Sequence, residues 1–191
     1  RYHLLKNVTI PFEGSTTQID HVVVSIYGVF VVETKNMKGW IFGRENQKYW
    51  TQKIFKHSQK FQNHLNQNYK HVKALAELLE LDEKKFHSVV VFMGESTFKT
   101  SMPRNVTYGF GLIRFIRSQD IVRLKPSECG RIVRAIETRR YPDTLATRRE
   151  HIENLERSAR RNATEKVCPR CGGAMKLRVA GKGKNAGKKF W

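Results

Sequence analysis

Thr17-Gln18-Ile19-Asp20-His21-Val22-Val23-Val24-Ser25-Ile26-Tyr27-Gly28-Val29-Phe30-Val31-Val32-Glu33-Thr34-Lys35 contains two β-rich runs that meet near one glycine and read as a hairpin. Side chains alternate faces along a strand, so Glu33 and Lys35 share one face of the second run. A loop of Tyr27-Gly28 pairs Ile26 with Val29 and sets Asp20 opposite Lys35, with Glu33 on the diagonal. A loop from Ser25 to Gly28 pairs Val24 with Val29 and sets Asp20 opposite Glu33. Both registers keep the three charges on one face, whereas a loop from Ile26 to Gly28 separates them.

Two close carboxylates raise each other's pKa unless a cation lies between them. A hard divalent ion resolves that conflict. Carboxylate oxygens suit Mg²⁺ or Mn²⁺, with water and substrate phosphate filling the remaining positions. A lysine alongside orients the attacking water or offsets charge on the phosphate, which is the chemistry of metal-assisted phosphodiester hydrolysis. Taken alone, an acid and a lysine across two strands are more often an ordinary surface pair worth little.

Outward from the hairpin, Leu4 to Ile10 reads as a strand, ended by Pro11 and the turn-prone Glu13-Gly14-Ser15. Gly39-Trp40-Ile41-Phe42-Gly43 and Tyr49-Trp50-Thr51 add short strands, and this meander carries the site. From Phe61 to Leu81 the period becomes helical, with Phe61, Leu65, Tyr69, Val72, Leu75, Ala76 and Leu79 on one side. Asn63, Gln67 and His71, four apart, form a polar row flanking that stripe. The continuous apolar run from Phe86 to Gly94 is a buried strand, with His87 a structural histidine at its start. Strand, helix, strand implies a crossover, a mixed sheet and an α/β fold. Val106 to Gly109 reads as an edge strand and Leu112 to Ser118 as a short helix. A further helix opens at Pro126 and Glu128 with Ile132, Val133 and Ile136 on its apolar face, and Cys129 on it is a small core residue. After Pro142-Asp143-Thr144, a last helix rich in both charge signs reads as a solvated spacer.

The residues Gln18-Ile19-Asp20-His21, Gly28 to Asn36 and Lys38-Gly39-Trp40-Ile41-Phe42-Gly43, continuing through Trp50 and Asn66 to His71, closely resemble the nuclease-related domain, NERD, a branch of the PD-(D/E)XK nucleases. The resemblance covers roughly residues 1 to 120. It implies a restriction-endonuclease-like mixed sheet flanked by helices, with Asp20 and Glu33 as Mg²⁺ or Mn²⁺ ligands, Lys35 as the catalytic lysine and Gln67 as the helix glutamine supporting them. It further implies a nuclease acting on DNA, in processing, repair or plasmid and mobile-element biology, in the bacterial cytoplasm. A non-catalytic nucleic-acid-binding module on the same fold is the alternative, and a basic adaptor acting through the Arg-rich helix is a third. The family opens with a helix bearing a glutamate ahead of the first strand. This chain starts at Arg1 without Met and already in a strand, so a fragment lacking that acid is expected.

Residues 121 to 163 form a helical extension, and 164 to 191 a second module. Cys168-Pro169-Arg170-Cys171-Gly172-Gly173 is a knuckle in which two thiolates reach one Zn²⁺. Together with Met175-Lys176-Leu177-Arg178 and the run from Gly181 to Phe190-Trp191, it resembles the four-cysteine zinc ribbon of bacterial type I topoisomerases. Here the chain stops at Trp191 before a second cysteine pair, so a partial ribbon is expected, with Zn²⁺ bound in a full-length parent and not in this chain. The tail carries Lys176, Arg178, Lys182, Lys184, Lys188 and Lys189 with Phe190 and Trp191, a set suited to single-stranded or structured DNA. Across the chain, 36 Lys and Arg against 17 Asp and Glu give a net charge of +19, which favours a phosphate backbone through counterion release. No run of about 18 apolar residues exists, so no membrane span is expected. Three cysteines make no secreted disulfide framework and point to a reducing compartment.

Overall fold

In the computed structural model of the chain, which describes residues 1–164, 178–181, 187 and 189–190, strand β1 (His3–Phe12) turns at Glu13-Gly14 into β2 (Ser15–Ser25). Both turn residues have positive φ, as a two-residue type I′ hairpin demands. β3 (Gly28–Asn36) pairs antiparallel with β2, Val24 against Val29 and Ser25 against Gly28. This is the register of the Ser25 to Gly28 loop, and the one that sets Asp20 opposite Lys35 is ruled out; the ladder itself ends at His21 and Val32, short of Asp20 and Glu33. Gly28 is required at this turn, since its φ is 127° and a Cβ there would meet the Lys85 carbonyl at 2.6 Å.

After β3 come β4 (Gly39–Phe42), β5 (Tyr49–Ile54) and β6 (His57–Gln62), then helix α1 (His64–Leu79). The chain returns through β7 (Phe86–Met93), β8 (Ser96–Phe98) and β9 (Val106–Tyr108), followed by α2 (Gly109–Arg117) and α3 (Pro126–Arg139). One sheet runs β1-β2-β3-β7-β9, with β7 parallel to both β3 and β9; a second runs β6-β5-β4-β8. The expected crossover and mixed sheet are therefore present, and the architecture is the restriction-endonuclease-like α/β fold.

Two expectations change. Phe61 and Gln62 end β6 rather than opening the helix, because Asn63 is the helix cap and its Oδ1 accepts the Leu65 N–H at 2.9 Å. Tyr69, placed on the apolar stripe, is exposed, while Asn68 beside it is fully buried. The Asn68 amide donates to the carbonyls of Val31 and Val89 and to the Ser88 hydroxyl, at 2.9 to 3.1 Å, and so pins α1 to β3 and β7.

Val22, Val24, Val29 and Val31 face Val72 and Leu75 of α1 and Ile132 and Ile136 of α3. On the opposite face, Phe30, Val32, Val89 and Val91 lie under Leu112, Phe115 and Ile116 of α2. A third cluster, Ile41, Trp50, Val90 and Phe92, joins the second sheet to β7. Each such fully buried side chain contributes roughly 1.5–3 kcal/mol. His87 stacks on Phe30 and contacts the Tyr27 carbonyl at 3.0 Å, and Cys129 is buried with its thiol pushed up by desolvation, both in the structural roles expected.

By its contacts the chain divides into Arg1–Asp143 and Thr144–Trp191. The second unit contains α4 (Leu145–Thr164), where Leu145, Ile152 and Leu155 are exposed and Glu153 pairs with Arg157 one turn on, at 3.6 Å. It also contains the short strands β10 (Arg178–Val179) and β11 (Lys189–Phe190). Cys168, Cys171, Lys176, Lys182, Lys184, Lys188 and Trp191 lie outside the described residues, and with them the zinc knuckle.

Candidate functional site

Glu33 continues the inward row Val29, Val31 of β3 at the point where cover by α1 gives way to the second sheet. It is only 4% exposed. Lys35 Nζ lies 2.5 Å from its Oε1, as expected of residues two apart on a strand. Gln67 Nε2 donates to the same oxygen at 2.8 Å, and His71 Nε2 approaches Oε2 at 3.3 Å without a well-aligned hydrogen bond. Gln67 and His71 stand one turn apart on α1, so one helix face delivers both. Thr17 Oγ1 holds the far side of the His71 ring, 2.8 Å from Nδ1. Burial would raise the Glu33 carboxyl, but contact with His71 and Lys35 outweighs it and keeps the group below its ordinary value.

Asp20 is placed differently. Pairing of β2 with β1 skips Asp20 and Asn7, whose φ is 52°, and pairing with β3 stops at His21. Leu5 and Val8 both turn inward, as do Ile19 and Val22, so both strands change their inward face here. The Asp20 carboxylate takes the place of the missing ladder bond, with Oδ2 accepting the Thr34 N–H at 2.7 Å and the Thr34 hydroxyl at 2.5 Å. The structure thus joins Glu33, Lys35 and Gln67 directly, and ties Asp20 to the residue between Glu33 and Lys35.

Sequence reading passed over His64, in the first turn of α1. Its ring stacks on Phe61 with centroids 5.0 Å apart and lies near Trp50 and Phe92, and both ring nitrogens are buried without a hydrogen-bond partner. Burial first, then the Lys35 charge, pushes its pKa down to about 4, so the ring beside the cluster is neutral near pH 7. Its spacing of three from Gln67 was the available signal. Asn63, the third member of the polar row, donates instead to the Glu45 and Gln47 carbonyls at 2.9 and 2.8 Å and ties down the β4–β5 loop.

Among the described residues no group of three or more His, Cys, Asp and Glu is gathered as a metal cage. Mg²⁺ asks for less: one or two carboxylates, with water and substrate phosphate completing its shell. Asp20 and Glu33, on neighbouring strands, fit that demand in kind. A cavity of about 650 Å³ elsewhere is lined by Glu13, Glu77, Glu80, Asp82 and Glu83 against Lys73 and Lys84, an acidic excess that disfavours a phosphate.

The family model for the nuclease-related domain, NERD, matches residues 1–93, a stretch that contains Asp20, Glu33, Lys35, Gln67 and His71. An uncharacterized protein of Bacillus anthracis is 42% identical over 140 residues, an alignment covering 71% of this chain and 66% of that relative. The chain therefore spans a little under two thirds of the relative's length. No solved structure matches.

Proposed function

We propose that the chain is a metal-dependent nuclease acting on DNA phosphodiesters, with its reaction centre at Glu33. What carries this reading is a carboxylate buried on a strand and held at once by a lysine two residues on and by a helix glutamine. Asp20 and Glu33 would hold Mg²⁺ or Mn²⁺, which when bound supplies an activated water and polarises the phosphate. Gln67 and His71 fix the Glu33 carboxylate from the helix side. Lys35, half-buried, places a positive charge where the phosphate develops negative charge. Nicking of supercoiled plasmid in Mg²⁺ or Mn²⁺ that stops on adding EDTA is the expected result. Equal nicking in EDTA removes the mechanism.

A second reading, a nucleic-acid-binding module without catalysis, draws support from the full occupation of Glu33 by Lys35, Gln67 and His71 and of Asp20 by Thr34. Calorimetry separates the two. Mn²⁺ uptake that disappears in Asp20→Ala favours the nuclease, and salt-sensitive DNA binding with no ion uptake favours the module. The Cys168 and Cys171 knuckle and the basic residues of the tail belong to the same proposal as an added DNA contact.

A further inference from the structure

On the β6-β5-β4-β8 sheet, Ile41, Trp50 and Phe61 turn inward, and the residues between them turn outward. Trp40 lies across from Lys53, and Phe42 from Thr51, which in turn lies across from Lys60. The outward face thus interleaves aromatic rings with ammonium groups. Trp40 is 47% exposed and Phe55, at the β5–β6 turn, 92%. Phe55 also has a φ of 51°, a conformation bulky residues rarely take, so the chain tolerates strain to present a bare ring.

Trp40 and Phe55 line a groove of about 430 Å³ together with Lys38, Lys53, Ile54 and Glu95, a volume within the ~300–1,000 Å³ range of ligand sites. Lys53 and Lys99 carry their ammonium groups 5.8 and 4.6 Å from the Trp40 ring centroid. Three lysines so placed face one acid.

We propose that this groove holds an unpaired base of single-stranded DNA, stacked against Trp40 and Phe55, with the adjoining phosphates on Lys38, Lys53 and Lys99. An unpaired nucleotide offers both things the groove asks for, a flat π face and an anionic link on either side. A duplex hides its base faces. An anionic lipid surface would attract the lysines but brings no planar guest for a groove lined by two aromatic residues. A lysine over an exposed indole is weakly held, so an incoming base displaces it toward the phosphate. Lys38 follows Lys35 by three residues, a reach of at most about 11 Å of chain, so the groove is tied to the strand that carries Glu33 without sharing a lining residue with that cluster. The inference rests on the nucleic-acid reading of that cluster but not on catalysis.

The test is fluorescence anisotropy of a labelled oligothymidylate with the full chain carrying Glu33→Gln, in EDTA, so that cleavage plays no part. Trp40→Ala weakens binding about tenfold or more, Trp40→Phe recovers most of it, and Lys53→Gln with Lys99→Gln lowers both affinity and its salt dependence. Duplex DNA of equal length changes by less than about twofold. Trp40 is exposed, so thermal melting followed by circular dichroism stays that of the parent. Unaltered oligonucleotide affinity in Trp40→Ala overturns the proposal, as does an equal loss for duplex and single strand. Trp40-dependent binding to phosphatidylglycerol vesicles without oligonucleotide binding overturns it too. Failure in any of these ways leaves plasmid nicking untouched, and loss of nicking leaves this binding untouched.

Discussion

Glu33 is buried because its surroundings repay the desolvation: a lysine, an amide and an imidazole all approach one carboxylate. Its folded pKa lies below the ordinary 4.5, so its stabilising contribution is full above that value and is lost as pH falls through the lowered one. His64 acts earlier on the same scale. Its pKa drops from 6.5 to about 4, so between those values the unfolded chain takes up a proton that the folded chain refuses. Stability therefore declines as pH falls from 6.5 toward 4, by roughly 2 kcal/mol once solvent screening of a partly exposed ring is allowed for. Urea titrations across that range will show the decline in the parent and a flatter profile in His64→Phe. A variant with the parent's slope would show that another group sets it. The Glu33 and Lys35 pairing was legible in the sequence because it follows from strand alternation alone. The Asp20 contact was not, since the face change at Asn7 and Asp20 breaks the alternation on which the expectation depended.

Helix α1 is the element that turns a strand-borne acid into a site, and two asparagines hold it in place. Asn63 caps its first turn and ties the β4–β5 loop, and Asn68 links its middle to β3 and β7. Replacing either by Ala removes a buried amide and leaves backbone groups unpaired, costing about 2–3 kcal/mol in urea unfolding. Asn68→Ala should further lower nicking more than its stability loss explains, because Gln67 and His71 lose their fixed approach to Glu33. An Asn68→Ala protein that is folded at the assay temperature and nicks at the parental rate would contradict that role for the helix. Apolar period located α1, and the continuous run located β7. It misassigned Tyr69 and overlooked Asn68, because hydrophobic pattern does not register an amide whose acceptors come from two strands. β6 escaped notice for a related reason: His57-Ser58-Gln59-Lys60 has no apolar alternation, and its strand state comes from pairing with β5.

For the whole molecule the net charge of +19 predicts that affinity for duplex DNA falls steeply with salt, about a hundredfold or more between roughly 50 and 200 mM. Anisotropy at several salt concentrations measures the slope, and a shallow one would separate the charge from nucleic-acid binding. No described helix is long and apolar enough to cross a membrane. Composition gave this electrostatic character, and the crossover gave the mixed sheet. Neither showed that a second sheet, β6-β5-β4-β8, carries a basic aromatic outward face, because that depends on which strands join which sheet. The proposed activity turns on Glu33 and Lys35 performing chemistry rather than merely pairing. Initial rates of plasmid nicking in Mg²⁺ for the parent, Glu33→Gln and Lys35→Met decide it most directly. Both variants should fold and nick at least about a hundredfold more slowly; folded variants nicking as fast as the parent would contradict a catalytic role for the pair.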